Sequence, residues 1–378
     1  MLRVIAYAGT VVLLLLSACV VIPPVNMGMF PFTVGASEYS PILMVLCLAW
    51  TGIAYRAFRA KPTQRWVVLG ILTIATLIYA RPLFQFNRTL TSAASQLGGD
   101  IEDDAYSFNA ALLGLPSTET VMERPIAYRA ADGSPLMMRI FSEKRSAKAP
   151  LVVVVYGGAW RGGDAKQCAN ISRALAARGF VVAAVDYRHA PRFRFPAQPD
   201  DIRSSLAVIV DSATALGIDT SRIAILGRSS GGHLAELTAF SREPVAHIAA
   251  LVSIYSPYDL IEGYTNLPSP DPIHIQSILR NFMGGTPSDM HERYMAASPA
   301  SFVRPGLPPT LLLFAGQDDI VKPEFNRRAA NELRAAGVRV VAVELPWAAH
   351  GFDMTPAGLG TQLEIAVVAR FLERELGR

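Results

Sequence analysis

Cysteine and histidine are scarce in this 378-residue chain, with three of the first and six of the second. Cys19 and Cys47 fall in apolar runs, so Cys168 stands alone in the remainder and no disulfide framework can form there. Cysteine usage therefore neither supports nor excludes an oxidising compartment. There is no H-E-x-x-H segment and no grouping of histidines and carboxylates at ligand spacing, so neither a metal nor another cofactor is expected. The net charge of +4 is small, and no basic tract is interleaved with aromatics, which argues against a nucleic-acid partner. The chain also lacks internal repeats and low-complexity tracts.

Charge is missing from three stretches near the N-terminus: Val4 to Ile22, Tyr39 to Tyr55 and Trp66 to Ala80. The first is long enough to span a bilayer. The other two lie near or below the lower limit of about 17 residues and need flanking side chains to snorkel. Residues 1–86 therefore read as a membrane region with transmembrane helices at about 4–22, 39–55 and 66–82. Arg56, Arg59, Lys61 and Arg65 fall between the second and third, whereas Pro23 to Glu38 contains no Lys or Arg. The positive-inside rule then puts the basic loop in the cytoplasm and the large C-terminal part outside, as expected of a multi-pass protein of a bacterial cytoplasmic membrane. A rival reading takes Leu16-Ser17-Ala18-Cys19 as the end of a lipoprotein signal. The apolar run continues through Val20-Val21-Ile22, which argues against it, and both readings leave the C-terminal part on the same side. If one of the two shorter segments were only a core helix, the orientation would invert.

Residues 87–121 read as a polar linker, with Gly98-Gly99, the acidic Asp100 to Asp104 and a helix around Ala105 to Leu113. Residues 122–378 then form one domain. A hairpin, Ile126 to Arg129 and Met137 to Phe141, turns on Asp132-Gly133. Strands follow at Leu151 to Tyr156, Val181 to Val185, Arg222 to Leu226, Ile248 to Ile254, Thr310 to Phe314 and Val338 to Val343. Helices are expected at Asp164 to Arg178, Pro199 to Leu216, Gly232 to Ala239, Pro323 to Ala336 and Leu359 to Leu376. Such alternation implies an α/β fold: a mostly parallel sheet with helices on both faces. Between residues 256 and 302 the pattern breaks, with Pro257, Pro268, Pro270 and Pro272 around an apolar stretch, Ile273 to Phe282, which reads as a cap over a pocket.

The chemistry centres on Gly227-Arg228-Ser229-Ser230-Gly231, a G-x-S-x-G run between an apolar strand and a helix. A serine on such a sharp turn has its hydroxyl exposed, which makes Ser229 the candidate nucleophile. It needs a base, and His350 lies in a loop at the carboxyl end of a strand, the edge where the elbow sits. His189, His233, His247, His274 and His291 occupy less suitable positions. Because only a neutral imidazole accepts a proton, turnover is expected to rise with pH through the ordinary imidazole range. The base needs an acid, and Gln317-Asp318-Asp319 offers two. Asp319, three residues past Gly316, is the expected partner, with Asp318 as its rival. Oxyanion donors are expected from the amides of Ser230, Gly158 and Ala159, the latter two in the glycine-rich loop Tyr156-Gly157-Gly158-Ala159-Trp160.

Together, GRSSGGHLA, YGGAWRGGD, Tyr187-Arg188-His189-Ala190-Pro191, Phe195-Pro196-Ala197 and the Asp319 and His350 loops resemble the α/β-hydrolase fold over about Pro125 to Glu375. The resemblance is to hormone-sensitive-lipase-like carboxylesterases and to feruloyl or acetyl esterases. It implies a serine carboxylic ester hydrolase, without cofactor, acting on a small-molecule or lipid-like ester at a membrane. Two departures stand out. Tyr156 occupies the place of the histidine that usually opens the oxyanion loop, so that loop must be braced differently. Arg228 sits inside the elbow, where it either pairs with a buried acid, the expected outcome, or biases the pocket toward anionic substrates. The alternatives are an isoprenylcysteine-methylesterase-like enzyme, which would need its site in the cytoplasm, and a binding protein on an inactive hydrolase fold. Related peptidases add a propeller whose repeats are missing here.

Overall fold

The computed structural model describes residues 1–99, 101, 105–116, 118–143 and 148–377. Four helices come first: α1 (Leu2–Cys19), a short α2 (Phe30–Glu38), α3 (Ser40–Ala57) and α4 (Pro62–Leu97). Of these, α1, α3 and α4 are long and apolar enough to cross a membrane. They pack as a bundle in which Arg3 Nε donates to the carbonyl of Ala57 at 3.3 Å and the Tyr79 hydroxyl donates to the carbonyl of Leu13 at 2.6 Å. The start of α1 thus lies beside the α3–α4 connection. Arg3, Arg56, Arg59, Lys61 and Arg65 gather at that end, and α2 lies toward the other.

The third apolar helix is far longer than expected. It spans 36 residues and ends only at Gly98, which takes the left-handed φ of 71°. Much of the stretch read as linker is therefore helix. The reason is periodicity: Phe86, Leu90, Ala93, Ala94 and Leu97 fall on one helical stripe and pack into the core of the C-terminal domain. Asp100 and Glu102–Asp104, also assigned to the linker, lie outside the described residues. A short helix, α5 (Phe108–Leu113), follows within the expected region and is capped by the Ser107 hydroxyl, which accepts from the amide of Ala110.

The domain then runs β1 (Met122–Arg129), β2 (Pro135–Ser142), β3 (Ala149–Val155), α6 (Ala169–Ala177), β4 (Val181–Val185), α7 (Ala197–Asp211), α8 (Ala213–Leu216), β5 (Ile218–Arg228) and α9 (Ser230–Ala239). After it come β6 (Ala250–Ile254), α10 (Leu260–Thr265), α11 (Ile275–Met283), α12 (His291–Ala296), β7 (Thr310–Ala315), α13 (Pro323–Ala335), β8 (Val340–Leu345) and α14 (Leu359–Glu375). The eight strands form one sheet in the order β1-β2-β4-β3-β5-β6-β7-β8, in which only the β1–β2 and β2–β4 pairs are antiparallel. Every residue of β3, β4, β6 and β7 is buried, as their near-continuous Val, Leu, Ile and Ala runs require of a sheet covered on both faces.

Three boundaries moved for local reasons. The helix expected from Asp164 begins as a 3₁₀ turn, Ala165–Cys168, where the Asp164 carboxylate accepts from the amide of Lys166, and becomes α6 only at Ala169. The helix expected over Pro199 to Leu216 starts at Ala197 and breaks at Ser212. The strand expected at Val338 to Val343 lies two residues later, because the amide of Val338 bonds back to Leu333 to close α13 over Gly337. The edge strand β8 is covered by α4. The Gln96 side chain accepts from the amide of Ala342 and donates to its carbonyl, both at 3.0 Å, as a neighbouring strand would.

Candidate active site

Ser229 occupies the turn between β5 and α9 with φ 51° and ψ −124°, backbone torsions that a side-chain-bearing residue adopts only under constraint. The constraint is close packing. A Cβ on Gly231 would overlap the carbonyl oxygens of Val155 and Tyr156, and one on Gly227 would overlap the backbone of Gly231. The amide of Ser229 is tied to the carbonyl of Ile254 at 2.9 Å. The turn therefore presents the Ser229 hydroxyl at the carboxyl edge of the sheet, 2.9 Å from Nε2 of His350.

The acid that meets the histidine is Asp318. Its Oδ2 lies 2.8 Å from His350 Nδ1, while its Oδ1 accepts from the amides of Ile320 at 2.8 Å and Val321 at 2.7 Å. This corrects the expectation of Asp319. Two main-chain bonds lay the β7–α13 loop along the His350 loop, Gly316 N to Leu345 O at 2.8 Å and Gln317 N to Ala348 O at 2.9 Å. That register turns position 318 toward the imidazole, and its neighbour has no bond to the ring. The Asp319 carboxyl is pushed up to about 6, by burial first and then by the adjacent Asp318.

Beside Ser229 runs the Tyr156–Trp160 loop, close enough that a Cβ on Gly157 would stand 3.1 Å from the Cβ of Ser229. Gly158, Ala159 and Trp160 all take positive φ, at 144°, 53° and 56°. Ala159, Ser229 and Ser230 line one small cavity of about 60 Å³. Ser230 opens α9, so its amide has no acceptor within the helix. Tyr156 replaces the usual histidine with bracing of its own. Its ring stacks on Tyr187 at 4.5 Å, its hydroxyl meets His189 Nε2 at 2.8 Å, and its carbonyl accepts from the Tyr187 hydroxyl at 3.2 Å.

The residues between β6 and β7 close the cavity, with Leu260, Ile273, Ile275, Ile278 and Leu279 forming an apolar wall opposite Ser229. Trp160 completes it by stacking flat on Phe282 of α11 with centroids 4.4 Å apart. Its indole N–H donates to His233 Nδ1 at 3.2 Å, so the proton of that ring sits on Nε2 and is donated to the carbonyl of Ala297 at 2.6 Å. Burial pulls His233 down to about 4, a neutral structural histidine. Larger cavities of about 290 and 1090 Å³ lie away from Ser229.

Arg228 points away from the cavity. Its guanidinium pairs with Asp353 and Glu364, each at 2.7 Å and each fully buried, as expected of an arginine held by a buried acid. Those two carboxylates hold the guanidinium proton above its ordinary range, while burial and Asp353 raise Glu364 to about 7. Tyr255 donates to Asp353 and lays its ring 4.5 Å from that of His350. Neither Asp353 nor Glu364 was legible as a partner of the elbow from sequence, since both lie more than a hundred residues downstream with no local motif.

Comparison with known proteins gives a consistent picture. A family model described as BD-FAE matches residues 138–333, just over half of the chain. Esterase LipC of Mycobacterium tuberculosis is 31% identical over 240 residues, which are 60% of this chain and 58% of LipC. A probable isoprenylcysteine alpha-carbonyl methylesterase, ICMEL1 of Oryza sativa subsp. japonica, is 29% identical over 49% of this chain and 46% of its own length. The chain thus spans about half the length of the curated relatives it matches. Among solved structures, a bacterial heroin esterase aligns with TM-score 0.61 and 25% identity over 76% of this chain and 97% of its own. A hyperthermophilic esterase of Pyrobaculum calidifontis has the same fold, with TM-score 0.61 and 24% identity over 78% and 91% of the two chains. The chain belongs to the BD-FAE family and has the α/β-hydrolase fold of carboxylesterases.

Proposed function

We propose that the protein is a membrane-anchored serine hydrolase that cleaves carboxylic esters. Ser229 attacks the ester carbonyl, His350 takes its proton and returns it to the leaving alcohol, and Asp318 holds the imidazole tautomer and stabilises the imidazolium. The amides of Ser230, Gly158 and Ala159 bind the developing oxyanion. Water then hydrolyses the acyl-enzyme with His350 again as base. The observation that carries this reading is the unbroken hydrogen-bond chain from Asp318 through His350 to Ser229 at the wall of an apolar cavity. That cavity is small, which favours short apolar acyl groups.

Residues 256–302 act as the cap in this reading, and α1, α3 and α4 anchor the domain on the extracytoplasmic side. The basic end of the helix bundle and the hydrolase domain lie at opposite ends of α4, which supports that orientation. The same arrangement disfavours a cytoplasmic methylesterase despite the likeness to ICMEL1. Membranes carrying wild type or Ser229→Ala are assayed against p-nitrophenyl esters from acetate to palmitate, with fluorophosphonate labelling in parallel. Serine-dependent turnover with a short-chain optimum is expected. A Ser229→Ala variant as active as wild type would refute the scheme.

A further inference from the structure

Glu38 closes α2, in the segment between the first two apolar helices, and its side chain is buried inside the hydrolase domain with 1% exposure. It reaches two groups there. Oε1 accepts from the indole N–H of Trp347 at 3.2 Å, and Oε2 accepts from the amide of Gly360 in the first turn of α14. The fit is made for it: a Cβ on Gly358 would stand 2.7 Å from Glu38 Cβ, and one on Gly360 would stand 3.0 Å from its carboxylate. Gly358 itself has no side chain to cap α14, so Glu38 supplies the cap from more than three hundred residues away.

Trp347 and Gly360 bracket the loop that carries His350. Trp347, three residues before the histidine, is also packed by Phe86 of α4, with ring centroids 5.8 Å apart. On the far side of the histidine, Phe30 of α2 lies 3.9 Å from where a Cβ of Gly351 would stand. The loop is thus gripped before and after His350 by residues of the N-terminal helical region.

We infer that Glu38 is a positioning residue for His350: its hydrogen bonds to Trp347 and Gly360 make the membrane anchor part of the active-site scaffold. The inference rests on the proposed Ser229 and His350 chemistry. It concerns only the placing of the imidazole, because Glu38 touches neither the cavity nor Ser229. A misplacement of about 1 Å in a reacting group can cost about a hundredfold in rate.

The test uses the full-length protein in detergent with a p-nitrophenyl ester. Glu38→Ala is expected to lower kcat by ten- to about a hundredfold and leave KM within about twofold, since the pocket wall is untouched. Glu38→Gln, which keeps an acceptor, should recover part of the loss. Trp347→Phe keeps a six-membered ring to face Phe86 and deletes the five-membered ring that carries the N–H. It should lower kcat in the same way, and the double variant should be no worse than Glu38→Ala alone. A kcat for Glu38→Ala within about threefold of wild type, or a rise in KM with kcat intact, would overturn the inference. If Glu38→Ala does not fold, an unchanged kcat in Trp347→Phe overturns it instead. Ser229→Ala in the same assay separates the two readings. Turnover that survives it removes the esterase mechanism, and serine-dependent turnover indifferent to Glu38 and Trp347 removes only the positioning role.

Discussion

Replacing Asp318 and Asp319 singly by asparagine distinguishes two adjacent carboxylates by the work each does. Oδ1 of Asp318 accepts from two amides, Ile320 and Val321, and Oδ2 faces His350 Nδ1. In Asp318→Asn the amide oxygen must take the Oδ1 place, because an NH₂ there would confront two N–H donors. The NH₂ group then points at Nδ1 and donates to it, which moves the imidazole proton to Nε2, the atom that has to accept from Ser229. The wrong tautomer in a serine–histidine–acid site costs about 10⁴ in kcat in the best-studied case, so a loss of 10³ to 10⁴ is expected, or about 4–5.5 kcal/mol of transition-state stabilisation. Asp319→Asn leaves the ring's partner in place and should stay within about tenfold of wild type. Steady-state kinetics on a p-nitrophenyl ester give the ratio, and the rate of fluorophosphonate labelling reports nucleophile activation without turnover. Equal losses in the two variants, or an Asp318→Asn enzyme within tenfold of wild type, would refute the tautomer argument.

Three further outcomes follow from buried groups near the site. Burial lifts Glu236 from 4.5 to about 7, although the Ser253 and Ser256 hydroxyls donate to it. The folded chain therefore keeps a proton that the unfolded chain releases, and this contribution to stability is present below pH 4.5 and lost as pH rises to 7. The rise from 4.5 to about 7 corresponds to about 3 kcal/mol, so urea melts should show wild type losing about that much stability relative to Glu236→Gln between pH 4.5 and 7. Arg228→Met leaves Asp353 and Glu364 buried without their cation and should destabilise by about 3–5 kcal/mol in thermal or chemical denaturation. Tyr156→Phe removes the hydroxyl that meets His189 while keeping the ring on Tyr187, and it should lower kcat about tenfold through a looser oxyanion loop, with little change in melting temperature.

How much of this was legible in sequence depends on whether the signal was local. Ser229 sits in a motif whose first glycine is required by an overlap four residues away, His350 sits at a strand end that periodicity locates, and the structure brings the two within hydrogen-bond distance. The choice between Asp318 and Asp319 is set by a main-chain bond from Gln317 to Ala348, which no short window contains. A clue existed in the two amides at the second and third positions after Asp318, which an aspartate in such a turn can accept. The length of α4 was hidden by composition: its polar residues after Arg81 suggested a linker, while the stripe from Phe86 to Leu97 carried the helical period. Glu38 gave no signal at all, since an isolated acid before an apolar run is ordinarily solvated.

If α1, α3 and α4 span a bilayer as proposed, α4 runs from it into the core of the C-terminal domain as one helix, a mast rather than a buoy. At 1.5 Å per residue, the five-residue step from Arg81 to Phe86, where the helix enters the core of the domain, holds that domain at a set height of roughly 8 Å above the end of the apolar run. A tethered domain would sweep a volume; this one presents its pocket at one altitude and one compass bearing. Each residue added to that stretch of α4 would swing the bearing by about 100°, so insertions there would be punished as in a gear train, with whole turns tolerated best. In the proposed reading, the lateral diffusion of the anchor, and not the swing of a linker, then determines which esters reach Ser229.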